Sequence, residues 1–179
     1  MHGMLLRGGV ILAVLLPSLG GCGGGDDLER PEVGASSHTV PDPDRLEVTQ
    51  LAYGFMEALS DRDTKRLDEM MAPHARLFSI REGNDGVEYR VRTREEFLEG
   101  LAENGPEFVE RIWEPVVEMK DRIGMVWAPY DFHVNGELTH CGIDVLAFLK
   151  MEEGWKVTSI TYNLETEDCP VSPLGPAEG

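Results

Sequence analysis

Residues 122–150 read RIGMVWAPYDFHVNGELTHCGIDVLAFLK, two runs rich in β-branched and aromatic residues on either side of Asn135-Gly136. Asn-Gly between strand-like runs is a strong hairpin signal, because a two-residue type I′ turn needs positive φ at both positions. It fixes a register in which Val134 pairs with Glu137. Counting outward, Asp131 lies opposite His140, Trp127 opposite Asp144 and Met125 opposite Leu146, all on one face. The other face carries Phe132, Tyr130, Ala128 and Val126 opposite Thr139, Cys141, Ile143 and Val145. The first row is apolar at one end, through Met125, Leu146 and Phe148, and polar at the other. It reads as a concave row, covered by helices at the apolar end and opening into a pocket at the polar end. The second, uniformly apolar row then falls on the convex face, where a second copy would cover it, and predicts a homodimer. The alternative exchanges the two faces and leaves Asp131, His140 and Asp144 solvated.

Working outward, Phe108 to Lys120 and Trp155 to Leu164 are two further strand-like runs with short turns between them. Upstream, Asp44 with Glu47 reads as a capping pair for a helix whose apolar face is Leu51, Ala52, Phe55, Met56 and Leu59. Asp63 opens a short helix carrying Leu67, Met70 and Met71, stopped by Pro73. Ala75 to Ile80 and Glu88 to Arg92 form a hairpin around Gly83-Asn84-Asp85-Gly86. Thr93 with Glu96 is a second capping box, followed by Phe97, Leu98 and Leu101, and Asn104-Gly105-Pro106 ends that helix. Helix, helix, hairpin, helix and a long meander make an α+β domain over residues 44–168. Its curved antiparallel sheet wraps around about three N-terminal helices as a cone with one open end.

Val126-Trp127-Ala128-Pro129-Tyr130-Asp131-Phe132, Asn135-Gly136, His140-Cys141-Gly142-Ile143-Asp144 and Gly154-Trp155-Lys156-Val157 resemble the nuclear transport factor 2-like superfamily. More narrowly, they resemble its bacterial SnoaL-like, "putative lumazine-binding" branch, over about residues 46–166. The resemblance implies a cystatin-like roll. That superfamily holds ketosteroid isomerase, scytalone dehydratase, polyketide cyclases and members that only bind or dimerise, so fold transfers and activity does not. Tyr53 can be set in the place of the isomerase tyrosine, but no carboxylate base follows the first strand.

His140, flanked by Asp131 and Asp144, is the candidate catalytic group. A carboxylate beside an imidazole raises its pKa and fixes its tautomer, which suits proton abstraction next to a carbonyl or a dehydration. The same residues also serve as a buried ion pair that shapes a cavity or holds a sheet edge. Trp127, Tyr53, Phe78 and Trp113 are candidate ligand walls, or simply core. No His-Glu-x-x-His, Gly-x-Ser-x-Gly or phosphate-loop motif occurs, so no metal and no cofactor are expected. Three functions follow: binding of a small apolar or aromatic molecule in the cone, a cofactor-free isomerase, dehydratase or cyclase, or an interaction module whose cone is filled by its own side chains.

Outside the domain, residues 1–21 read as a signal peptide with Arg7 and an apolar stretch, its end forming Leu19-Gly20-Gly21-Cys22 with the next residue. The last four resemble the bacterial lipobox, which makes Cys22 a lipidation site and residues 22–43 a disordered tether. The expectation is a lipid-anchored protein of the bacterial cell envelope, with the outer membrane favoured because Gly23, not Asp, follows the cysteine. Residues 169–179 read as a tail. The formal charge of -17, from 33 acids and 16 bases in 179 residues, argues against nucleic-acid binding. Three cysteines are too few for a disulfide scaffold or a Cys-based zinc site. With Cys22 acylated, Cys141 and Cys169 remain as a pair in an oxidising compartment. The return of the last strand brings them near each other, predicting a disulfide.

Overall fold

The computed structural model describes residues 42–83, 86–103 and 105–177. The signal peptide, Cys22 and nearly all of the tether lie outside the described residues. Helix α1 (Pro43–Ser60) is capped two residues earlier than the Asp44–Glu47 reading, by Asp42, whose side chain accepts from the Asp44 N–H at 3.0 Å. Pro43 opens the helix with its φ already set. Asp44 is thereby released for another task. Its carboxylate accepts from Lys150 Nζ at 2.7 Å and Trp155 Nε1 at 3.2 Å, tying the helix start to the hairpin end of two central strands. The Lys150 ammonium holds that carboxyl below its ordinary range. Val48, Ala52, Phe55, Met56 and Leu59, at helical spacing, are buried beneath it.

Helix α2 (Thr64–Met70), capped by Asp63, runs directly into strand β1 (Met71–Gly83). Pro73 and His74 therefore sit at the irregular start of a strand, where His74 takes φ 64. Strand β2 (Gly86–Thr93) returns, and helix α3 (Arg94–Ala102) opens on the Thr93–Glu96 box, with both reciprocal bonds made at 2.8 and 3.1 Å. Arg62 donates to the Leu101, Glu103 and Pro106 carbonyls at 2.9–3.2 Å, satisfying groups that the helix end leaves open.

The run from Phe108 to Lys120 is two strands, β3 (Phe108–Ile112) and β4 (Val116–Lys120). They are broken at Trp113-Glu114-Pro115, where Glu114 takes φ 45. Both pair with β5 (Ile123–Val134), followed by β6 (Glu137–Met151) and β7 (Gly154–Leu164). The seven strands form one curved, unclosed sheet in the order β2-β1-β7-β6-β5-β3, with β4 also on β5. All pairs are antiparallel except β1 with β7. The fold is the expected α+β cone.

The β5–β6 register departs from the simple count, and the departure decides which residues face inward. The turn behaves as read: Val134 pairs with Glu137 and His133 with Leu138, and Asn135 and Gly136 have φ 52 and 80. The next pair is Phe132 with His140, so Thr139 is an extra residue in β6, a β-bulge. Thr139 Oγ1 donates to the Phe132 carbonyl at 3.0 Å, giving the disturbed ladder a substitute bond. Beyond the bulge Asp131 pairs with Cys141, Ala128 with Asp144 and Val126 with Leu146. A one-residue slip turns one strand over relative to its partner. The concave face thus combines His140, Asp144, Leu146 and Phe148 of β6 with Phe132, Tyr130, Ala128 and Val126 of β5. Asp131, Trp127 and Met125 go to the outer face.

Candidate functional site

The concave face and the helices enclose a cavity of about 240 Å³. Phe55, Met56 and Leu59 of α1 and Phe97 and Leu101 of α3 form its roof. On the sheet side, Leu77, Ile160 and Phe132 are apolar, and six groups are polar: Arg92, Glu110, Tyr130, His140, Asp144 and Tyr162. That is room for a compact ring system.

Each polar group is held by a distinct local device. Glu110 lies between Phe108 and Ile112 on β3, and its backbone N–H is tied to Ser60 Oγ at the end of α1 at 3.0 Å. Tyr130 crosses β6 at Gly142 and its hydroxyl donates to the Asn163 carbonyl at 2.7 Å. Only glycine permits that crossing. A Cβ at residue 142 would fall on the Asn163 carbonyl oxygen and within 2.9 Å of the Tyr130 ring. The Asn163 side chain in turn accepts from the Ile143 N–H at 2.7 Å. Arg92 donates to the Tyr162 hydroxyl at 3.0 Å, near the open side.

Asp144 stands apart. It is 0% exposed, and its carboxyl shares a hydrogen bond with the buried carboxyl of Glu110. Burial pushes its pKa up to about 7. Burial and the neighbouring Asp144 drive Glu110 well above the ordinary carboxylate range, with Arg92 opposing. Two acids facing one enclosed space do not both ionise near neutrality, so the pair keeps a proton. Burial, with the charges of Glu110 and Asp144, also raises Tyr130, which remains a neutral donor.

His140 stacks on Phe132 at 4.6 Å between ring centroids. Its Nδ1 lies 2.9 Å from Thr139 Oγ1. Since Thr139 gives its only hydroxyl hydrogen to the Phe132 carbonyl, it accepts from His140. Nδ1 therefore carries the proton and Nε2 the lone pair. Burial lowers the imidazole pKa, keeping the ring neutral. The tautomer is thus set by Thr139 and not by an aspartate, which corrects the expected His140–Asp131 pairing. Asp144 lies four residues along the same strand, about 13 Å at ~3.3 Å per residue, so it does not flank the imidazole either.

Asp131 belongs to a separate cluster on the outer face. Arg111 grips it with two bonds of 2.9 and 2.6 Å, and His133 Nε2 is 3.3 Å away. Burial favours the neutral acid, but the Arg111 and His133 contacts outweigh it and hold the carboxyl below its ordinary range. Arg111 also donates to the Gly175 and Pro176 carbonyls, so the C-terminal segment closes over this cluster. That segment is tied down by a Cys141–Cys169 disulfide with Cα atoms 5.8 Å apart.

The aromatic wall candidates do not line the cavity. Trp127 and Phe78 lie on the outer face, 46% and 38% exposed, Tyr53 points outward from α1 at 43%, and Trp113 is buried elsewhere. Of the candidate residues, His140 and Asp144 alone meet in the chamber. Glu110, Arg92 and Tyr162 were missed. Glu110 had a readable signal: in Phe108-Val109-Glu110-Arg111-Ile112 it occupies the inward position of a strand between two apolar residues.

A family model described as "Putative lumazine-binding" matches residues 43–163. No curated protein is significantly similar in sequence. Among solved structures, the chain is similar to one described as a putative dehydratase from the NTF2-like family of Streptomyces avermitilis, at 18% identity and TM-score 0.57, over 70% of this chain and 99% of that one. It is also similar to an NTF2-like protein of Cytophaga hutchinsonii (10% identity, TM-score 0.58, 68% and 98% covered). A third is an NTF2-like protein with a cystatin-like fold from Novosphingobium aromaticivorans (10%, TM-score 0.54, 70% and 84%). The match across residues 43–163 and the shared cone place this chain in the putative lumazine-binding family of the NTF2-like superfamily.

Proposed function

We propose that the cone is a binding chamber for one small, flat, largely apolar molecule with a polar edge. The observation that carries this reading is an apolar-roofed cavity of about 240 Å³ into which a few polar groups converge, the paired acids Glu110 and Asp144 among them. Pockets of this make-up, apolar walls around a few convergent polar groups, are typical of small-ligand sites. The void also disfavours a cone filled by its own side chains. Lumazine, named by the family, is the first probe. Its fluorescence should change saturably on titration with the purified protein. Leu164→Trp, at the half-buried margin of the cavity, should block it while leaving the fold intact. A linear, protein-independent signal would remove the reading.

A second reading, a cofactor-free isomerase, dehydratase or cyclase, is favoured by the free Nε2 of His140 facing the chamber. It requires turnover that His140→Gln abolishes without loss of ligand affinity.

The lipobox-like Leu19-Gly20-Gly21-Cys22 supports an envelope lipoprotein, and Cys22→Ser should then move the protein from the membrane to the aqueous fraction. A homodimer is supported by the outer face, on a different row from the one first considered. Val116, Trp127, Val145, Thr161, Phe78 and Val91 are successive partners straight across the sheet. Trp127→Glu should convert a dimer to a monomer in sedimentation; an unchanged mass would place the interface elsewhere.

A further inference from the structure

The concave face does not end where the helices stop covering it. Across the ladders of β1 with β2 and β7, Arg92, Leu77 and Ile160 are straight partners, and two residues further along come Arg90, Ser79 and Tyr162. Side chains on one face of a strand recur every second residue, so both rows belong to the concave side. The first row lines the chamber. The second lines an open groove of about 830 Å³ that continues along the β1–β2 hairpin. Arg92 and Tyr162 line both spaces. Chamber and groove are therefore one continuous surface, apolar under the helices and polar beyond them.

The charge of the groove runs against that of the chain. Acids outnumber bases 33 to 16 overall, yet residues 76–94 hold five arginines and three acids. Arg76 is taken up by the carbonyls of His74 and Ala75, and Arg94 by Asp68 and Glu95. Arg81 meets Glu88 at 3.1 Å in a pair whose side chains are both exposed. Arg90 and Arg92 make no ion pair among the described residues. Arg92 is held in place all the same: it donates to the Tyr162 hydroxyl at 3.0 Å, and its guanidinium lies 5.4 Å from the centre of the Phe97 ring. Most of its N–H groups stay free to donate. Glu110, the chamber acid that feels its charge, keeps a proton in its pairing with Asp144 and so does not neutralise it.

We infer that the groove is a subsite for an anionic tail, a carboxylate or phosphate carried by the same small molecule whose flat part fills the chamber, with Arg92 at the junction and Arg90 beyond it as the cationic partners. Planar guanidinium groups match both anions through paired N–H donors. Arg90 and Arg92 stand two residues apart on one face, about 7 Å along the strand, so a short alkyl tail leaving the chamber passes between them. The net charge of -17 repels an anionic ligand at a distance, and these arginines supply the local field that reverses the sign at the mouth of the chamber. This rests on the binding-chamber reading and adds the ligand's second half to it.

The test uses the purified protein with two fluorescent probes of one ring and one tail length, 4-(1-naphthyl)butyrate and the neutral 4-(1-naphthyl)butanamide. Affinities are measured for wild type, Arg90→Gln and Arg122→Gln, each checked for folding by thermal melting. Arg90 lies outside the chamber lining, and Arg122, whose carbonyl accepts from the Lys150 N–H, stands at the opposite end of the sheet. Wild type should bind both probes, the acid roughly tenfold more tightly, and the difference should shrink as ionic strength is raised. Arg90→Gln should bring the acid to within about threefold of the amide and leave the amide unchanged, since Arg92 still offers one charge-assisted contact. Arg122→Gln should change neither. Equal affinities of acid and amide for wild type, or equal losses of the acid in the Arg90 and Arg122 variants, overturn the anion subsite while leaving the chamber. Binding of the acid without any binding of the amide overturns the joined site, because the ring then contributes nothing. Absence of binding by both probes to wild type overturns chamber and subsite together. If Arg90→Gln does not fold, the ratio of acid to amide in wild type and its salt dependence still decide.

Discussion

At the scale of single residues, burial acts in opposite senses on two aspartates that the sequence placed together. Burial raises Asp144 to about 7, and Asp131 is held ionised by Arg111. Their stability signatures differ in sign. Asp144 binds its proton more tightly folded than unfolded, so its contribution falls as pH rises from the unfolded carboxylate range to about 7. Asp131 binds its proton less tightly when folded, so its contribution is present above the unfolded pKa and lost as pH falls through the lowered folded value. Thermal melts of wild type should therefore lose stability between pH 5 and 8. Asp144→Asn should flatten that decline and melt higher than wild type at pH 8. A parallel decline in both proteins would mean that Asp144 ionises freely.

At the scale of elements, much was legible because each signal is local. The Thr93–Glu96 box, the Asp63 cap and the Asn135-Gly136 turn all act within a few residues, and all sit as read. The face assignment failed at Thr139 because a bulge inserts one residue without a compositional mark: Thr and His suit a regular strand as well as a bulged one. His140 and Asp144 were rightly grouped and their β5 neighbours wrongly chosen. Ala128 and Tyr130 took the inward places given to Trp127 and Asp131. The helix start moved because Asp42 and Asp44 are equally good caps, and only the distant Lys150 and Trp155 choose between them. The bulge has a spectroscopic consequence. Imidazole nitrogen shifts should show His140 protonated at Nδ1, and Thr139→Val, which removes the acceptor, should move the proton toward Nε2. An Nε2-protonated wild type would contradict the hydrogen-bond assignment.

At the scale of the whole molecule, the C-terminal segment is pinned over the Arg111–Asp131–His133 cluster on the outer face. The Cys141–Cys169 bridge spans 28 residues of sequence. Closing a loop of that size stabilises the domain by roughly 3–4 kcal/mol in the chain-entropy model. Reduction, or Cys169→Ala, should lower the melting temperature by about 10 °C and uncover the Arg111–Asp131–His133 cluster to solvent exchange. Two reactive thiols at these positions in the denatured, unreduced protein would show that the bridge does not form.

The central claim is that a small molecule occupies the space between α1, α3 and the concave sheet. Methyl NMR during a lumazine titration tests it most directly. The account predicts saturable shifts at Met56, Leu77, Leu101 and Ile160, which line the chamber, with Ile123 and Val116 on the outside unmoved. Shifts confined to Val116 and the outer face around Trp127, or none at saturating lumazine, would contradict it.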